Sequence, residues 1–257
     1  MGRQQIATLA RFTLLEAWRT RLLWLFVITL AIVWCGAYFA QQLAITESTR
    51  IHITLTAAAS RMVSVFVLSL YILTTLVREL NDKGLELTLS FDLRRADYIL
   101  GRLLGFALIA LLMALVAGAL QWMLAPLSAV LQWTASLTLE LLLVAAMSLF
   151  CVLTFTQLMP AASFVAGFYL LSRAMASIQL ISAAPIIDDK SLSHQAIVWT
   201  IDLLALVLPA MDRFTQSGWL ADGAAGWPAV GACAAQAVVY TALLVAAAMF
   251  DFYRRNL

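Results

Sequence analysis

The stretch RELNDKGLELTLSFDLRRADYILGR, Arg78 to Arg102, lies between two long apolar runs and gathers charge that the rest of the chain largely lacks. Its flanks decide the fold. Of 257 residues, 63% are hydrophobic and 12% charged, and the mean hydropathy is +0.93, the composition of a polytopic membrane protein. A bilayer core about 30 Å thick takes roughly 20 apolar residues per helix. Runs of that order occur at about 22–45, 57–77, 99–124, 135–158, 162–183 and 229–250. None alternates as a barrel strand does, so the expected fold is an all-α membrane protein with six transmembrane helices in a single domain over 1–257.

The positions of Lys and Arg set the expected orientation. Arg3, Arg11, Arg19 and Arg21 precede the first run; Arg78, Lys83, Arg94, Arg95 and Arg102 separate the second from the third; Arg254 and Arg255 close the chain. With six spans these groups share one face, which the positive-inside rule assigns to the cytoplasm together with both termini. The opposite loops hold Arg50, Lys190 and Arg213, with Arg61 near that edge. Trp122, Trp133, Trp199, Trp219 and Trp227 then fall near the outer interface and Trp18 and Trp24 near the inner one, as in an aromatic belt. The net charge of +2 therefore reports topology, and no nucleic-acid partner is expected.

Several classes are set aside by what the sequence lacks. The first run is too long for a signal-peptide core and no small-residue cleavage site ends it. Cys35, Cys151 and Cys233 lie inside runs and read as small core residues. His52 and His194 are the only histidines, and neither a zinc-protease HExxH nor a GxxxxGK[ST] phosphate loop occurs. No metal site, no cofactor and no catalysis by this chain alone are expected.

Residues 1–21 read as a separate amphipathic helix, with Ile6, Leu9, Ala10, Thr13, Leu14 and Ala17 on one face and Arg3, Arg11, Glu16 and Arg19 on others. It either lies in the cytoplasmic headgroup layer or is a tail that fixes topology. On the outer side, residues 184–228 form a long connection, and such loops usually carry structure or function. Its middle, AIVWTIDLLALVLP, is too short to span; it reads as a re-entrant or interfacial helix stopped by Pro209, or as a helix packed over the outer ends of the spans.

Charges inside the runs are costly, about 2.5 to 3.5 kcal/mol for a central arginine on insertion scales. Arg173 stands about eleven residues into the fifth run, near Ser172, Ser177 and Gln179. It either lines a translocation path or a partner interface, or binds a carbonyl or carboxylate within the bundle, and the last has the better claim. Arg61 and Glu140 fall one to two turns below the outer surface in different runs, so they either pair or snorkel outward. On these boundaries no acid lies near the membrane centre, and no inverted repeat is evident, which weighs against an ion-coupled secondary transporter.

Within the opening stretch, Arg78, Glu79, Asp82, Lys83 and Glu86 alternate in sign, Gly84 interrupts, and Leu85, Leu87, Leu89 and Phe91 add apolar surface. Either a docking helix or a solvated loop over 78–98 fits. Gly101 and Gly105 then form a small-xxx-small pair suited to close helix approach. The string R-E-x-x-x-K-G-L-E-L-x-L-S-F-x-L-x-R-x-x-Y-I-L-G-R, with six spans and an N-terminal interfacial helix, resembles the permease subunit of type 2 ABC transporters, including permeases grouped with multicopper-enzyme maturation. That family shows a pattern like E-x-G-T-L-x-x-L-L-S-x-P-x-x-R-x-x-Y-x-x-G-K here. Lys83 to Ser90 match it loosely, Tyr98 and Gly101 keep its spacing, and Asp92 stands where the family often has Pro. The motif covers about 25 residues; the layout covers the chain.

The resemblance implies a non-catalytic permease of an ATP-driven exporter in the bacterial inner membrane. A separate ATPase would bind ATP and Mg and dock on a cytoplasmic coupling helix through Arg78, Glu79, Asp82, Lys83, Gly84, Leu85, Glu86, Arg94 and Arg95. Two such ATPases would serve a pair of permeases, most simply a homodimer, among membrane lipids and with room for a periplasmic accessory protein. Trp199, Asp202 and Pro209 would belong to an outer gate. A non-transporting membrane anchor or assembly subunit is the remaining alternative beside the ion-coupled transporter.

Overall fold

The computed structural model describes residues 2–43, 47–82, 95–183 and 192–254, and all regular structure among them is helical. In chain order these are α1 (Gly2–Arg19), α2 (Leu22–Leu43), α3 (Ser48–Asn81), α4 (Arg95–Gln121), α5 (Leu127–Phe155), α6 (Leu158–Ala183) and α7 (Leu192–Val207). A 3₁₀ turn at Met211–Arg213, a short α8 (Gly218–Ala221) and α9 (Trp227–Arg254) complete it. Six of these, α2 to α6 and α9, are long and apolar enough to cross a membrane. The chain is a multi-pass all-α membrane protein.

Two helices start well before the apolar runs do. α3 begins at Ser48 and α5 at Leu127, eight or nine residues outside runs at 57 and 135, because polar residues there face other helices and continue the turn. His52 and Thr56 on α3, and Gln132 and Ser136 on α5, are buried. The early start of α5 leaves only residues 122–126 between it and α4, shorter than the ten residues the runs suggest.

α5 is the central helix, packed against α3, α4, α6 and α9. Its most apolar window is 72% buried, against 22% in α2 and α6 and 17% in α9. Lipid tails are as apolar as leucine, so association inside a bilayer depends on close packing rather than on hydrophobic transfer. α5 accordingly brings Ala129, Ala145, Ala146, Ser136 and Ser148 to its contacts, while the exposed faces of α2 and α9 show Ile28, Ile32, Phe39, Val238 and Leu243. Trp133 and Trp219 are also interior, at 0% and 7% exposure, whereas Trp122, Trp199 and Trp227 are exposed. The outer belt therefore loses two of its five expected members, Trp133 lying on the most buried of the six long helices.

α1 packs lengthwise on the first half of α4, running in the same direction. Gly101 and Gly105 make this possible: a Cβ at Gly101 would meet Leu9 Cδ2 at 2.8 Å, and one at Gly105 would meet Thr13 Cβ at 2.6 Å. The buried stripe of α1, Ala10, Thr13 and Ala17, is the apolar face read from the sequence. After it the chain turns at Thr20 and Arg21, where Arg21 takes a left-handed φ of 57°, and enters α2. The three free cysteines are Cys35, exposed, and Cys151 and Cys233, buried.

Candidate functional site

One end of the bundle gathers α1, the end of α3, the start of α4 and the end of α9; because it holds Arg19, Arg21, Arg78, Arg102 and Arg254 it is called here the basic end. Arg102, about two turns inside α4 and 8% exposed, collects its partners from α1 and α3. Its guanidinium pairs with Glu79 of α3, lies 3.4 Å from Glu16 of α1 and donates to Thr13 Oγ1 at 3.1 Å. Arg78 reaches the other Glu16 oxygen at 3.5 Å. The Arg102 guanidinium also stands 6.0 Å from the Tyr98 ring centroid, a cation–π distance, and Tyr98 stacks on Phe252 of α9. Two cations thus meet two carboxylates, and Glu79 and Arg102 close the base of the segment that joins α3 to α4.

A second cluster lies within the bundle. Glu140 follows Leu127 by 13 residues in a helix of 29, about 20 Å along its axis, so the acid sits at mid-helix and not one to two turns from the end. It is fully buried. Tyr169 donates to its Oε1 at 2.7 Å, Thr215 donates to Oε2 at 2.5 Å, and Arg173 lies 3.4 Å from Oε1. Arg61 does not pair with Glu140; it donates to the Thr215 carbonyl at 3.0 Å.

The two arginines are explained by the irregular backbone they hold. Non-helical chain at membrane depth is tolerated only where protein satisfies its amides and carbonyls, and residues 209–215 enter the bundle between α3, α5 and α6. Arg173 donates to the carbonyls of Met211 at 2.7 Å and Phe214 at 3.1 Å, and Arg61 takes that of Thr215. The Thr215 N–H donates to Ser136 Oγ at 2.9 Å, and the Phe214 and Arg213 amides bond back within the turn. Met211, Phe214 and Thr215 are each fully buried. Two guanidinium groups face one carboxylate, and three carbonyl dipoles offset the surplus charge.

Of the residues singled out from sequence, Arg61, Glu140 and Arg173 converge on this inserted segment, Arg173 binding carbonyls and a carboxylate together. Trp199 and Asp202 on α7 are exposed and Pro209 is buried; the chain that inserts lies just beyond them, from Pro209 to Thr215. Arg78 and Glu79 join the basic-end cluster, and Asp82 caps α3 through a backbone N–H to the Arg78 carbonyl at 2.9 Å. Lys83, Gly84, Leu85, Glu86 and Arg94 lie outside the described residues, and Arg95 opens α4. Sequence reading missed Glu16, Tyr98, Thr13, Ser136, Tyr169 and Thr215 as partners. For Glu16 a signal existed, a carboxylate beside the apolar stripe of an otherwise basic helix.

No protein-family model matches this chain, and no curated protein sequence does either.

Proposed function

We propose that the chain is the membrane-spanning subunit of an ATP-driven exporter, energised by a separate ATPase docked on the segment between α3 and α4. The observation that carries the reading is the buried Glu79–Arg102 pair across the base of that segment, tied to α1 through Glu16. A charged, leucine-bearing segment so mounted would pass a push from a docked partner to α3, α4 and α1 together, where a loosely hung loop would absorb it. The likeness of residues 78–102 to the coupling region of type 2 ABC permeases supports the same reading, as does the bias of basic residues that assigns this end to the cytoplasm. ATP and Mg would be held by the partner, a second copy would complete the membrane unit, and the inserted 209–215 segment would close the outer side.

An ion-coupled mechanism gains one point from Glu140 at mid-helix. It loses more, because both carboxylate oxygens already accept bonds from Tyr169, Thr215 and Arg173, which leaves the acid engaged within the protein. The deciding experiment is a mild-detergent purification of the chain from its native membrane with its partners, followed by an ATPase assay. A Walker-motif ATPase in about one-to-one ratio is expected. Replacing Arg78, Asp82, Lys83 and Glu86 together should abolish both its retention and its stimulation; retention of both would refute the coupling role.

A further inference from the structure

At the elbow between α1 and α2 an apolar crevice of about 170 Å³ opens between three helices, walled by Leu14, Leu15, Trp18, Leu23, Ile109 and Leu112. Leu15 and Trp18, on its rim, are 57% and 71% exposed, so the crevice opens outward toward whatever surrounds the bundle. An apolar cavity of roughly 150 Å³ stays dry and takes an apolar guest. In a membrane protein the guest at hand is an acyl chain.

The turn that follows Trp18 also carries a charge signal. Arg19 and Arg21 bracket the elbow between the lining residues Trp18 and Leu23, both are exposed, and neither forms an ion pair among the described residues. Two other basic groups of this end differ: Arg78 and Arg102 both engage Glu16. Two exposed guanidinium groups, without an ion pair among the described residues, beside an apolar slot match a phosphate diester and one chain of the same molecule. From this juxtaposition we infer a specific site for an anionic phospholipid of the leaflet at the basic end, its phosphate on Arg19 and Arg21 and one acyl chain in the crevice. The bound lipid would fasten α1 to α2 and α4, and so support the helix that supplies Glu16 to the Arg102 cluster.

The site is tested on the full chain in nanodiscs of phosphatidylcholine into which brominated phosphatidylglycerol or brominated phosphatidylcholine is titrated. The readout is the part of the tryptophan quenching that Trp18→Phe removes. Each arginine near a membrane surface favours an anionic headgroup by about fivefold, so half-maximal quenching should need at least tenfold less phosphatidylglycerol than phosphatidylcholine. Arg19→Gln with Arg21→Gln, both at exposed positions, should bring the two lipids within about twofold. Leu112→Phe, which narrows the slot, should weaken quenching by both lipids while leaving the preference. Equal potency of the two lipids in the unaltered protein, or a preference that survives loss of both arginines, would overturn the site.

Discussion

The two buried clusters use the same chemistry to opposite ends. At the basic end Arg102 is answered by side chains of two other helices, and charges balance two against two. In the bundle interior Arg61 and Arg173 are answered mainly by carbonyls of an inserted strip of chain, with one carboxylate between two cations. The first fastens helices to one another; the second fastens backbone that has no helix of its own. The difference shows how an arginine survives in a membrane protein: it needs either a compensating acid near water or a stretch of irregular backbone whose acceptors have nowhere else to turn.

The sharpest way to break this contrast is to remove Glu140. Truncation to alanine leaves the buried Arg61 and the part-buried Arg173 with no anion and leaves the hydroxyls of Tyr169 and Thr215 without their acceptor. Losing one partner of a buried pair costs about 3–5 kcal/mol, so Glu140→Ala should lower the thermal midpoint in detergent by on the order of 10 °C. Glu140→Gln keeps an acceptor and should lose roughly half as much, the difference being the charge. Loss of stability should come with faster hydrogen exchange at residues 211–215. Unchanged exchange there would show that the acid does not hold the inserted segment.

Arg102→Met sharpens the same comparison from the other side. The Glu79 and Glu16 side chains are 14% and 30% exposed, so water can reach the carboxylates that the arginine abandons, and the penalty of an orphaned charge falls. We expect a loss of about 2–3 kcal/mol, below that of Glu140→Ala, read as a smaller drop in the same thermal midpoint. Equal losses would mean that burial depth does not separate the clusters.

How far the sequence carried these conclusions differs between the two ends. The six spans were legible because a run of about 20 apolar residues has few other readings, and Gly101 and Gly105 announced a close helix contact. That their partner is α1 was not legible, since a small-xxx-small pair states a distance and no identity. Glu140 was displaced outward because hydropathy falls at Gln132, Thr134 and Ser136, polar residues that face neighbouring helices and leave α5 unbroken. The arginine acceptors at Met211, Phe214 and Thr215 had no signal at all: a backbone carbonyl is the same atom in every residue.

Gly105→Ala tests whether the two ends are independent. Its Cβ would stand 2.6 Å from Thr13 Cβ, so α1 must move off α4, at an overpacking cost of about 1–3 kcal/mol. Amides of residues 6–17 should lose protection from hydrogen exchange while those of 211–215 keep theirs. Loss of protection in both places would show that the clusters are coupled through α4 and α5, a result that would join the basic end to the inserted segment mechanically.

The smallest effect belongs to a third arginine with similar partners and no burial. Arg50 pairs with Glu47 and with Asp222, and the three side chains are 50%, 66% and 57% exposed. Its reach to Asp222 also crosses 172 residues of sequence, joining the start of α3 to the chain that follows the inserted segment. Exposed pairs contribute about 0–1 kcal/mol and are screened by salt, so Arg50→Gln should shift the thermal midpoint by no more than about 2 °C, and by less still at high ionic strength. Its value lies in what it separates. Arg50 tethers distant parts of the chain as Arg173 does, but in water, so a small shift assigns the cost of losing Glu140 to burial. A large one would assign it to the tethering of the outer segment, wherever the pair sits.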